Sequence, residues 1–322
     1  MRSCSAMVQE THVGKAILFL LLGVAAGLGL DLCAKELLTD YSLEQFVFFR
    51  SVVALLIFLL LTRQFGGFKS LHTARWPWHA LRTLLATGAM FGFFYGLSQM
   101  PLVNALTLGF TAPLIATALS VPFLGDRVGW KRWAAVIAGF GGVLMILRPG
   151  AGLITPAALA VLFAAVCYAG LAITSRHLGR TETSLALSTW VIVGPLVVSA
   201  LVSLDGNWSM PDAKGWVLFV TAGMCSVLAW IGIVGGYRRA SPAVLAPFEY
   251  TALVAGAVAG YFIWDEVPDR WVIYGAIVII ASGLIVAYRE VGMSFGARQL
   301  RAFASGAIAA VRRGSSRTAA GD

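Results

Sequence analysis

Apolar runs of about twenty residues recur ten times between residues 14 and 288, and no gap between them is long enough to fold alone. An α-helix needs about 20 apolar residues to cross the ~30 Å hydrocarbon core. The runs are 14–34, 44–62, 79–98, 102–124, 132–148, 154–175, 185–204, 214–236, 242–264 and 271–288, and the longest gap is 63–78. Open backbone groups are not tolerated in lipid, so the pattern predicts an all-α membrane protein of ten transmembrane helices. Charged residues make up only 12% of the chain, about half the ~25% of soluble domains. That is too little polar material to cover a water-facing surface.

The charge that remains is mostly positive, with a net +9. Nucleic-acid binding is a poor reading of it, because the basic residues sit in short gaps between apolar runs. Membrane orientation explains them better. With the N-terminus inside, eighteen of the 24 lysines and arginines fall in inside segments. Only Lys35, Arg148, Lys214 and Arg270 fall outside, and Arg50 and Arg82 lie within runs. A wrong helix count would destroy this bias, so it supports ten spans with both termini cytoplasmic. Cys4, Cys33, Cys167 and Cys225 have no metal-ligand spacing, and neither a metal site nor a disulfide framework is expected. Residues 1–13 are polar and the first run is long for a signal peptide, so the first helix is expected to persist.

A shift of about 140 residues aligns the two halves weakly over their length. Phe110-Thr111-Ala112 falls on Tyr250-Thr251-Ala252, and Gly125-Asp126 falls on Asp265-Glu266. Ala34-Lys35-Glu36-Leu37 falls on Ser175-Arg176-His177-Leu178, and Gly142-Val143-Leu144 falls on Gly283-Leu284-Ile285. Five spans per half is an odd number, so a real repeat must be inverted. Inverted repeats are typical of secondary transporters; chance likeness of two apolar halves is the alternative. The GxxxG spacings Gly23/Gly27, Gly92/Gly96 and Gly256/Gly260 suit close helix approach. Pro113, Pro195 and Pro247 lie within runs, where they open backbone carbonyls at a transport site or kink a helix for packing.

An ionisable residue inside a span faces a cavity or a partner. Asp31, Arg50, Arg82 and Glu249 qualify. Asp31 and Arg50 lie at similar depth and read as a charge pair or a shared substrate site. Arg82 and Glu249 allow a second pairing. Lys35 and Asp126 sit at helix ends and read as boundary charges, as does Glu266. Mid-span Trp and Tyr need hydrogen-bond partners, which brings in Tyr95, Trp190, Trp230 and Tyr250, with Phe93 and Phe94 beside Tyr95, as cavity walls or plain packing. Trp76, Trp78, Trp130 and Trp264 read as interfacial anchors. A cavity with aromatic walls and both charge signs suits a zwitterionic or cationic organic solute. His12, His72, His79 and His177 lie in loops or at span edges, so any proton coupling falls to Asp31 or Glu249. HExxH, GxSxG and Walker A sequences are all absent, which leaves no support for an enzyme or an ATP-driven pump. The basic tail, residues 290–322, reads as a weak surface helix or as disorder.

Phe123-Leu124-Gly125-Asp126-Arg127-Val128, Trp133 and Gly139-Phe140-Gly141-Gly142-Val143-Leu144-Met145-Ile146-Leu147-Arg148-Pro149 resemble the EamA domain of the drug/metabolite transporter superfamily. The likeness covers residues from about 14 to 289. It departs mildly at Asp126, where the family has Glu, and at Asp265, which replaces a glycine. Asp31 with Lys35, Phe48-Phe49-Arg50, Tyr95-Gly96-Leu97 and Ala246-Pro247-Phe248-Glu249-Tyr250 look like S-adenosylmethionine uptake carriers of intracellular bacteria, with riboflavin and amino-acid-type carriers as neighbours. The resemblance implies two inverted five-helix EamA repeats. Their expected bounds are 14–149 and 150–289, flanked by a cytoplasmic N-terminus (1–13) and the tail (290–322).

The expectation is a carrier for a small organic metabolite in the bacterial inner membrane, without cofactor or nucleic-acid partner, as a monomer or homodimer. Asp31, Arg50, Tyr95, Trp190, Glu249 and Tyr250 are the expected substrate-binding residues. Lys35, Arg82, Asp126 and Glu266 are the expected structural or gating charges. A channel or membrane receptor is the alternative from another class.

Overall fold

The computed structural model describes residues 2–64, 67, 73, 75–125, 128–148, 154–178, 182, 184–205, 208–237, 239 and 242–288. Asp126 and the basic tail lie outside the described residues. The first half holds α1 (Arg2–Asp40), α2 (Leu43–Gln64), α3 (Trp76–Gln99), α4 (Leu102–Gly109), α5 (Ala112–Leu124) and α6 (Trp130–Leu147). The second holds α7 (Pro156–Leu178), α8 (Ser184–Val202), α9 (Ala213–Tyr237), α10 (Pro242–Glu249), α11 (Thr251–Trp264) and α12 (Arg270–Tyr288). There is no strand among the described residues. The stacked pairs α4–α5 and α10–α11 each make one span, giving ten. Eight spans are long and apolar enough to cross a membrane. The other two are α8, a shorter apolar helix, and the broken α10–α11 span.

Helix α1 runs past its apolar stretch, which ends near Ala34, and continues to Asp40. Polar side chains carry this extra turn: Lys35 pairs with Glu266 and Glu36 with Lys214. These contacts, with Arg148–Asp269, gather one end of the bundle, here the Lys35 end. His79 and Glu182 meet at 3.6 Å at the opposite, His79 end.

The inversion is visible in matched contacts. A Cβ on Gly92 of α3 would stand 2.7 Å from the Ala160 carbonyl of α7, and one on Gly232 of α9 would stand 2.7 Å from the Phe19 carbonyl of α1. One turn on, Gly96 would meet the Ala157 carbonyl at 3.0 Å and Gly236 the Ala16 carbonyl at 3.1 Å. The glycines are 140 residues apart pairwise, and the facing carbonyls 141. Small residues at these crossings let the backbones close without a hydrophobic drive between helices. The wider packing follows the same exchange of halves: α1 lies along α9 as α7 lies along α3, and α2 on α9 matches α8 on α3. Meanwhile α2 meets α8, its own equivalent, and α4 meets α11.

The two broken spans match in their chemistry as well. The Thr111 and Thr251 hydroxyls each donate 2.6 Å back to a carbonyl three residues earlier, Leu108 and Phe248. Such back-bonding bends helices, and Phe110 and Tyr250 sit at the two breaks. The prolines are not equivalent: Pro113 opens α5, whereas Pro247 lies inside α10. Both spans also close alike, on left-handed residues Gly125 (φ 68°) and Asp265 (φ 60°). Gly125 points its N–H at the Ser120 and Val121 carbonyls, Asp265 at those of Gly260 and Tyr261. Aspartate is among the few side chains that tolerate this region, which explains how the glycine could be replaced.

Candidate substrate site

Helix α1 places Asp31 and Lys35 one turn apart on the same face, with Lys35 nearer the rim. Helix α2 returns antiparallel after Tyr41 and Ser42 and carries Phe46 and Arg50 one turn apart. Phe46 packs edge-on against Phe94 of α3 at 4.9 Å, and the Arg50 guanidinium carbon lies 5.9 Å from the same ring. Asp31 and Arg50 are within electrostatic reach of each other. They nevertheless form no ion pair within 4.0 Å; the pairs among the described residues are Lys35–Glu266, His79–Glu182, Arg148–Asp269 and Lys214–Glu36. Arg50 is 6% exposed, and its Nε is buried without a partner.

A polar knot ties helix ends together at the Lys35 end, above this pair. Lys35 bonds Glu266, donates to the Met100 carbonyl at 3.1 Å and lies 5.2 Å from the Trp264 ring. The other Glu266 oxygen accepts the Leu102 N–H at 2.9 Å, capping α4. One salt bridge thus ties α1, the α3–α4 turn and the α11–α12 turn together. Beside it, Gln45 donates to the Ser209 carbonyl at 2.7 Å, and Asp212 accepts the Gly215 N–H at 2.6 Å and the Tyr41 hydroxyl at 3.1 Å. The Gly215 N–H and the Tyr41 hydroxyl hold the Asp212 carboxyl below its ordinary value, with nearby Lys214 acting in the same sense. A cleft of about 300 Å³ opens at this rim, lined by Glu36, Tyr41, Met210 and Lys214 among others, and neither Asp31 nor Arg50 lines it.

Glu249 and Tyr250 sit at the second helix break. Glu249 accepts a 2.7 Å hydrogen bond from the Tyr237 hydroxyl. Tyr250 packs its ring 5.1 Å from Phe110, and its hydroxyl fills the space where Gly283 lacks a side chain. The Arg82–Glu249 pairing does not form. Arg82, 2% exposed, instead donates to the Leu171 carbonyl (3.1 Å), Thr174 (3.0 Å), Ser175 (2.7 Å) and the Leu187 carbonyl (3.3 Å), clamping α3 to α7 and α8.

Five of the six expected substrate residues therefore fall into three places. Asp31 and Arg50 come together, Glu249 and Tyr250 come together, and Trp190 lies with Trp76 (4.6 Å) and His79 (6.3 Å) toward the His79 end. Tyr95 is exposed, and its neighbour Phe94 is the ring beside Arg50. Tyr237 escaped the sequence reading, because a tyrosine at a helix end beside Arg238 and Arg239 reads as an interfacial anchor. Gln45 and Ser209 escaped it for want of any repeating signal.

Comparison with known proteins agrees with this architecture. Residues 14–148 and 155–288 each match the EamA-like transporter family. An S-adenosylmethionine uptake transporter of Rickettsia bellii is 30% identical over 273 residues, which is 84% of this chain and 92% of that protein. A riboflavin transporter of Rhizobium johnstonii is 28% identical over 216 residues, 67% of this chain and 72% of that one. A pseudopaline exporter of Pseudomonas aeruginosa is 26% identical over 263 residues, 80% and 90% of the two chains. One crystal structure shares the fold, with TM-score 0.62 and 17% identity over 86% of this chain and 98% of the other. Two family matches in tandem cover almost all of the described residues, and the chain belongs to the EamA-like transporter family.

Proposed function

We propose that this protein is a secondary carrier that moves a small organic metabolite across the bacterial cytoplasmic membrane by alternating access. The observation that carries the reading is the meeting of the two helix breaks, with Phe110 of one half against Tyr250 of the other. Broken helices at a repeat interface near the membrane centre are where carriers of inverted-repeat design bind their cargo. Asp31, Arg50, Glu249 and Tyr250 supply the polar groups of the path, with Tyr95 and Trp190 as wall residues. Lys35 and Glu266 act as a gate, Arg82 as a clamp, and Asp126 as a boundary charge.

The repeats occupy 14–149 and 150–289, and both termini lie in the cytoplasm because Lys and Arg crowd that side. The Lys35 end then faces outward. No chemistry on the cargo, cofactor or nucleic acid enters the cycle. The relatives named above include two uptake-type or vitamin carriers and one exporter, so the cargo class rests on the site: a zwitterionic, cationic or aromatic solute of amino-acid or nucleoside type. The test is counterflow in proteoliposomes loaded with unlabelled S-adenosylmethionine, with riboflavin in parallel. A transient, saturable accumulation of labelled solute is expected. Non-saturable flux that never exceeds equilibrium would overturn the carrier reading.

A further inference from the structure

Arg50 and Arg82 are both buried in this bundle, and the fold treats them differently. Arg82 is 2% exposed and spends its terminal nitrogens on four acceptors from α7 and α8. Arg50 is 6% exposed and donates no side-chain hydrogen bond to any described residue; the Nε is orphaned in both, so the difference lies in the terminal nitrogens. A guanidinium cannot shed its charge, and its fork matches a carboxylate bidentately. Leaving it empty in a low-dielectric site is unfavourable unless something else occupies it for part of the time.

Its neighbour repeats the pattern with the opposite sign. The Asp31 carboxylate accepts no hydrogen bond from the described residues and stops short of a 4.0 Å contact with Arg50, although each feels the other's charge. Where this fold wants a closed pair it makes one, as at Lys35–Glu266 one turn above Asp31 and at Lys214–Glu36 (2.6 Å). Counting from the facing helix ends at Asp40 and Leu43, Asp31 and Arg50 differ in depth by only about 3 Å. The Phe94 ring covers one side of the guanidinium. Asp31 and Arg50 thus form an open dipole whose two poles lack partners.

We propose that this pair is a clamp for the head group of an α-amino acid: Arg50 takes the carboxylate and Asp31 takes the ammonium. The proposal rests on the carrier reading and deepens it to a substrate class. A zwitterion bridging the pair leaves the filled site neutral, with charge-assisted bonds at both poles. Both bonds are spent on the head group, so the clamp selects for the head and not for the side chain.

The experiment compares S-adenosylmethionine with its decarboxylated analogue as competitors of counterflow in proteoliposomes, in the wild type, Arg50→Lys and Arg50→Gln. The wild type is expected to prefer the carboxylate-bearing solute by at least tenfold. Arg50→Lys is expected to shrink that ratio several-fold and Arg50→Gln to bring it near one. Asp31→Asn is expected to keep the carboxylate preference while losing discrimination against an analogue that lacks the α-amino group. The ratio is internal to each preparation, so it does not depend on how much variant folds, and Arg50→Lys serves if Arg50→Gln is not recovered. A wild-type-sized ratio in both Arg50 variants overturns the clamp and leaves the carrier reading intact. So does counterflow of riboflavin alone, which carries neither head group. Absence of counterflow with every solute overturns the carrier reading and the clamp with it.

Discussion

Phe110 and Tyr250 stand 140 residues apart, occupy the same place in the two repeats, and bring their rings to 5.1 Å. Each sits at the break of its span, beside a threonine whose hydroxyl draws back a carbonyl at 2.6 Å. The contact therefore lies where the repeats exchange, and both breaks are built by the same local chemistry. Replacing both threonines with valine removes the back-bonds while keeping the shape. The breaks should straighten and counterflow should fall at least tenfold, with the protein still folded by circular dichroism. Unaltered transport in the double variant would separate the breaks from function.

The Lys35–Glu266 pair holds three segments at the Lys35 end. Lys35→Met should release it and expose the face of α1 below. Leu28 lies two turns below Lys35 on that face, beside Gly256, so in a variant otherwise free of cysteine a membrane-impermeant maleimide should label a Leu28→Cys site several-fold faster. Labelling at the starting rate would place the barrier elsewhere.

Gly232 touches the Gly23 backbone so closely that an added Cβ would lie 2.5 Å from its Cα. Neither backbone can yield cheaply, so Gly232→Ala should cost about 1–3 kcal/mol, as overpacking does. Gly92→Ala, at the equivalent crossing, should cost a similar amount. Gly141, with nothing within 4 Å of its added Cβ, is the control and should lose no stability on conversion to alanine. Thermal unfolding in detergent reads all three.

Arg82 spends its terminal nitrogens on α7 and α8, and no effect on solute choice is expected from its loss. Arg82→Met strands four acceptors on α7 and α8, and a loss of about 3 kcal/mol is expected from breaking such a charged network. The competition ratio between solutes should stay at the wild-type value in the protein that folds. A changed ratio would move Arg82 into the substrate path.

Tyr237 gives Glu249 its hydrogen bond at 2.7 Å. Tyr237→Phe and Glu249→Gln should each lower stability, and the double variant should lose less than their sum, with a coupling of about 1 kcal/mol or more. Additive losses would mean that the bond contributes nothing.

Much of the architecture was legible because lipid forces a simple grammar. Run length pointed to the spans, and the alignment of Phe110-Thr111 on Tyr250-Thr251 pointed to the repeat. Gly92/Gly96 read as a crossing, but its partner surface on Ala157 and Ala160 did not, because one small residue in lipid looks like another. Gly232/Gly236, its counterpart on α9 facing α1, went unread for the same reason. The charges were found as a set, since each is rare in a span, while their partners were not. Arg82 goes to hydroxyls and carbonyls that carry no charge signal, and Glu249 goes to a tyrosine at a helix end. Helix α1 outlasts its apolar run because Lys35 and Glu36 find partners more than 170 residues away, which no local window contains.

The central claim is that the two ends of the bundle open in turn, with the Lys35 end closed here. A short reducible cross-linker between cysteines placed at positions 35 and 266, in a variant otherwise free of cysteine, tests it most directly. Cross-linking should arrest counterflow and reductant should restore it. Counterflow that continues at the uncross-linked rate with the link in place would contradict alternating access through this end.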